Sequence, residues 1–75
     1  AECASLVNHF EGREWKNLFG MEMKVTKFTD LKEVKRSSSE LLCVATGKME
    51  NGGMMEWELY YEESGGSLHR GLQLH

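Results

Sequence analysis

Apolar residues recur at Cys3, Leu6, Val7 and Phe10. This is the i, i+3, i+4, i+7 spacing that lines one face of a helix. Trp15, Leu18 and Phe19 form a second group. On one continuous helix over residues 2–19 that group would sit about a third of a turn from the first stripe. Gly12 stands between the two groups. The pattern therefore predicts either a helix broken near Gly12, or a turn there followed by a second short helix. Glu2 or Ser5 is placed to cap the start, and Gly20 to stop the segment.

After Gly20 the period changes to two: Met21, Met23 and Val25 alternate with Glu22, Lys24 and Thr26. The alternation slips where Phe28, Leu31 and Val34 are spaced by three. A bulge or bend within one long strand accounts for that. Arg36-Ser37-Ser38-Ser39 reads as a turn. Leu41 to Lys48 is apolar on both faces and predicts a central strand. Glu50-Asn51-Gly52-Gly53 predicts a hairpin loop, since Asn-Gly supplies the positive φ such turns need. Met54 to Tyr61 places Met55, Trp57, Leu59 and Tyr61 on one face and Glu56 and Glu58 on the other. Glu62 to Gly66 reads as a second loop, and Leu68, Leu72 and Leu74 share the parity of a last strand.

Short loops make consecutive strands antiparallel neighbours. The Trp57–Tyr61 stripe must be buried, and the helix is the available cover. The expected fold is α+β: an N-terminal helix, broken near Gly12 in one reading, packed on one face of a three- to four-stranded antiparallel sheet. Residues 1–75 form a single domain, with no repeat, linker or low-complexity tract.

Composition narrows the classes. The chain has 75 residues, 40% of them hydrophobic and 28% charged. The longest apolar run, Leu41 to Ala45, is far short of the roughly 20 residues a spanning helix needs. Nine basic against twelve acidic residues give a net charge of −3. Nucleic acid is thus not the expected partner, because phosphate binding needs a clustered positive face.

Cys3 and Cys43 permit a single pairing. A bridge would close a loop of about 40 residues and contribute about 4 kcal/mol in the chain-entropy account. The alternative is two thiols, with Cys43 serving as a small buried hydrophobe. The bridge is the expectation for a domain this small. The start Ala1-Glu2-Cys3 resembles the small-residue beginning left when an export signal is removed. Cysteine usage and chain start together lead us to expect an exported protein, periplasmic or secreted.

Signs of catalysis are absent. No pair among Cys3, Cys43, His9, His69 and His75 has metal-ligand spacing. There is no G-x-S-x-G elbow and no phosphate-cradling glycine pattern. Glu56/Glu58 and Glu62/Glu63 read as solvated acidic surface rather than an acid–base pair. A non-enzyme without cofactor or metal is expected. Lys24, Lys27, Lys32, Lys35 and Arg36 form a basic stretch, read as a solvated strand face. Arg13, Trp15, Lys16 and Phe19 group aromatics with positive charge, a composition enriched at protein interfaces. They are the candidate partner-binding residues, or else the two aromatics cap the core.

Cys43-Val44-Ala45-Thr46, Asn51-Gly52 and Leu59-Tyr60, with the preceding helix cysteine, resemble small exported bacterial domains of unassigned function. The resemblance implies a helix on an antiparallel sheet, a helix-to-strand disulfide, export and a non-catalytic role. The order is also similar to the cystatins, with Cys43-Val44-Ala45-Thr46-Gly47 in the place of their Q-x-V-x-G loop; the Gln and a Pro-Trp second loop are absent. The expected function is a non-catalytic exported module that binds a protein partner or assembles with itself. The alternative is a cystatin-like or other inhibitor of a secreted hydrolase. Leu68 to Leu74, with Arg70 as its one charge, predicts an unprotected edge strand and a homodimer built through it or the sheet face beside it, or else a monomer whose last strand is frayed. Lysines guard the opposite edge.

Overall fold

The computed structural model describes residues 2–16, 20 and 22–75, with Trp15 and Lys16 described by backbone alone. Helix α1 spans Cys3–Phe10 and is followed by strands β1 (Glu14–Lys16), β2 (Glu22–Arg36), β3 (Glu40–Met49), β4 (Met54–Ser64) and β5 (Ser67–Leu74). The strands form one antiparallel meander in chain order, β1-β2-β3-β4-β5. Four are long, and β1 adds three residues at the β2 edge. The α+β fold, with the helix on one sheet face, matches the sequence pattern.

Residues 14–16, expected in the helical segment, form strand β1 instead. Gly12, at φ 75°, donates its N–H to Val25 O at 2.8 Å. That bond steers the chain onto the rim of the sheet. Glu14, Trp15 and Lys16 then pair with Lys24, Met23 and Glu22. A second short helix would carry its own nucleation cost, whereas the β2 edge offers ready backbone partners. The helix start differs too. Glu2 makes no side-chain cap; its carboxylate accepts instead from Arg36 Nη2 at 3.1 Å.

The three-residue spacing in β2 has a direct cause. Its pairing with β3 shifts register between Val25 and Lys27, between Thr29 and Lys32, and between Glu33 and Lys35. Each shift inserts one extra residue, so a period of two becomes a period of three. Val25, Phe28, Leu31 and Val34 follow that period. Asp30, inside the second shift, has φ 54°, a left-handed conformation that Asp tolerates better than most residues.

The hairpins follow their sequences. Gly52 has φ 90° and donates to Met49 O at 2.9 Å, while Met49 donates to Gly53 O at 2.7 Å. This is a three-residue turn closed by a left-handed glycine. Asn51 Oδ1 accepts from Gly53 N–H at 2.8 Å. The second loop is shorter than expected: β4 runs on to Ser64, and Gly65-Gly66 alone make the turn.

The core lies between α1 and the facing side of β2–β4. Leu6, Val25, Phe28, Leu41, Cys43, Ala45, Trp57 and Leu59 are buried there. Cys3 is bonded to Cys43, with Cα atoms 6.0 Å apart. An eight-residue helix is marginal by itself. Here Leu6 and the covalent bond at its first residue hold it down.

Candidate functional site

The sheet is wider than its cover. A helix is about 10 Å across, side chains included, and strands lie about 4.8 Å apart. One helix therefore shields two or three strands. α1 packs on β2, β3 and β4, so β5 extends beyond it. Leu68 and Leu74 are 47% and 55% exposed, and Leu72 is half-buried against the core edge. All three sit on the helix side, opposite Glu63, Trp57 and Leu59.

A groove of about 530 Å³ separates α1 from β5. Ser5, Asn8 and His9 form its helix wall, and Tyr61, Leu68 and Arg70 its sheet wall. Arg70 enters no ion pair among the described residues.

The backbone of β5 is as informative as its side chains. Gly65 and Gly66 both have positive φ, 56° and 81°. Such two-residue turns close on a hydrogen-bonded pair, here Ser64 and Ser67. At the other end His75 N–H donates to Glu56 O at 3.1 Å. Hydrogen-bonded pairs recur every second residue. Ser67, His69, Gly71 and Gln73 therefore bond toward β4, while Leu68, Arg70, Leu72 and Leu74 aim their N–H and C=O groups outward. β5 is the terminal strand of the sheet, so those groups line an open edge among the described residues. The edge placement expected for Leu68–Leu74 is observed.

The opposite edge is covered over its first half. Glu11 Oε2 accepts from Phe28 N–H at 2.9 Å, Gly12 bonds to Val25, and β1 pairs with residues 22–24. Beyond Phe28 the rim carries Lys32, Lys35 and Arg36.

Other charged contacts lie at the surface. Arg36 donates to Glu33 and Glu2; its hydrogen bond to Glu33 above all, with the charge of Glu2, raises its pKa above the usual value. Glu58 accepts from Gln73 Nε2 at 2.6 Å and lies 2.9 Å from His75 Nδ1. Those bonds, His75's first, lower the Glu58 pKa.

The residues expected to bind a partner are not gathered here. Arg13 is exposed in the turn after α1. Trp15 and Lys16 lie in β1, at the far side of the sheet from β5. Phe19 lies outside the described residues. The stretch Cys43 to Gly47, likened to a cystatin loop, is inside β3 and paired on both sides. The groove has no local signature in the sequence; it follows from one helix about 10 Å across lying on a sheet of four long strands about 4.8 Å apart. Among the described residues no three His, Cys, Asp or Glu side chains gather to hold a metal, and no helix is long and apolar enough to cross a membrane. No protein-family model, curated protein or solved structure matches the chain.

Proposed function

We propose that the chain is a non-catalytic exported module that binds a protein partner by accepting an extended segment alongside β5. The observation that carries this reading is the open β5 edge, whose outward backbone groups and exposed leucines belong to the same residues. An added strand would take its main-chain hydrogen bonds from Leu68, Arg70, Leu72 and Leu74. Its alternate side chains would enter the groove beside Leu68 and Tyr61, giving selectivity for apolar residues two apart. Arg70 and His9 on the groove walls favour a carboxylate in the segment. The Cys3–Cys43 bond fits an oxidising compartment and holds α1 as the rigid far wall.

A library of extended peptides carrying alternating apolar residues tests this. Binding should shift the amide resonances of Leu68, Arg70, Leu72 and Leu74 and slow their hydrogen exchange. Arg70→Pro should abolish binding while preserving the fold, since it removes an outward N–H and no bond to β4. Peptides that bind equally well to that variant would refute strand addition at this edge.

A further inference from the structure

The sheet face turned away from α1 has a charge pattern complementary to itself. On that face β2 carries Lys32 and Lys35, opposite Val44 and Leu42 of β3. Val44 and Leu42 are in turn opposite Glu58 and Tyr60 of β4. Three columns result: basic on β2; apolar on β3 at Leu42 and Val44, with Glu40 at its end pairing with Lys35 at 3.4 Å; and acidic with one aromatic on β4. Leu42, Val44, Thr46 and Tyr60 are only half-buried in the single chain.

We propose that two copies of the chain pack these faces together about a two-fold axis that runs parallel to the strands over β3. Rotation about that axis exchanges left and right and keeps each residue at its own height. Lys32 of either copy then lies over Glu58 of the other, and Lys35, which keeps Glu40 of its own chain as partner, lies near Tyr60, whose ring leans across Gly71 of β5 and presents a π-face that attracts a cation. Leu42 and Val44 meet their own counterparts at the centre. Facing sheets are about 10 Å apart, a gap that a lysine and a glutamate side chain bridge together. The contact is isologous, as closed dimers require.

Charge also excludes the other arrangement. A two-fold axis across the strands would keep each column over itself and stack lysines on lysines and glutamates on glutamates. Like charges brought together in this way are costly. The footprint sets the strength. Three strands by seven residues cover about 14 by 24 Å, less than the roughly 800 Å² per partner of a standard interface. The dimer is therefore weak and dissociates on dilution. The outward backbone edge of β5 lies outside the overlap, so the dimer does not depend on strand addition at that edge.

Sedimentation equilibrium from micromolar to millimolar chain tests the proposal. The mass should rise reversibly from 8.6 kDa toward twice that value. Lys32→Glu and Glu58→Lys, each alone, should weaken self-association by at least about tenfold. An equimolar mixture of the two variants should recover the dimer, because every facing pair is then of opposite charge. That recovery also shows both variants are folded. Leu68→Lys on β5 should leave the dimer intact. A mass of 8.6 kDa throughout, or a dimer that survives both single charge reversals, would overturn it.

Discussion

Trp57 occupies space that only a glycine at position 47 leaves open. A Cβ on Gly47 would stand 2.6 Å from Trp57 Cδ1 and 2.9 Å from Val25 Cγ1. Both neighbours are buried, at 1% and 0% exposure, and neither can retreat without disturbing the core cluster they belong to. Gly47 thus sets how close the indole lies to β3 and how deep the core sits under α1. Gly47→Ala should destabilise the protein by about 1–3 kcal/mol, the usual range for overpacking. Urea denaturation followed by tryptophan fluorescence measures this. An unchanged midpoint would mean that the core absorbs the methyl group.

The disulfide is the next lever. Cys43 is fully buried, and Cys3 opens a helix with one fully buried residue, Leu6. Cys3→Ser should cost about 4 kcal/mol, since the bridge closes a loop of about 40 residues. Stabilities of small domains are of that order. The variant should lose helical circular dichroism first, because strands β2–β5 keep their ladder bonds. Mass spectrometry of the wild-type chain should show no thiol alkylation before reduction.

Glu58 gives stability a dependence on pH. Its pKa in the folded chain is lowered from the ordinary 4.5 by the bonds from His75 and Gln73. A carboxylate lowered in this way stabilises the fold above its unfolded pKa, and that contribution fades as pH falls through the lower folded value. Thermal melts from pH 6 down to pH 2, at concentrations too low for association, should show a decline below about pH 4.5 that Glu58→Gln makes shallower. A variant with the same acid limb as wild type would show that the contacts add nothing to stability.

Local periodicity carried most of the fold. The stripe Cys3-Leu6-Val7-Phe10 marked the helix, the Trp57–Tyr61 alternation marked the buried sheet face, and Asn51-Gly52 marked the hairpin. Leu68, Leu72 and Leu74 announced an edge strand. The misreading at residues 14–16 has a physical origin. Trp15, Leu18 and Phe19 have helical spacing, and the competitor that holds residues 14–16, the rim of β2, is distant in sequence. The contacts of Glu58 with Gln73 and His75 were hidden for the same reason: they exist only once the β4–β5 register is known. The self-complementary columns likewise need the positions of the β2 bulges, because each extra residue decides which lysines share a face with Val44 and Leu42.

Those bulges supply the last prediction. Asp30 sits in the middle of a long strand, yet has φ 54°. Strand propensity favours valine over aspartate, so propensity alone predicts that Asp30→Val would stabilise β2. Backbone sterics predict the reverse, since a β-branched side chain at positive φ clashes with its own backbone. Strain of that kind costs on the order of 1–3 kcal/mol, more than the roughly 1 kcal/mol spanned by strand propensities. Asp30→Val should therefore destabilise the protein, or force the bulge to migrate and move Lys32 off the face it shares with Val44. Asp30→Gly and Asp30→Asn should be tolerated, because both residues accept the left-handed region. Chemical denaturation of the three variants ranks them. Nuclear Overhauser contacts between Lys32 and Val44 report whether the register held. An Asp30→Val variant more stable than wild type, with those contacts intact, would show that the bulge does not require a left-handed residue.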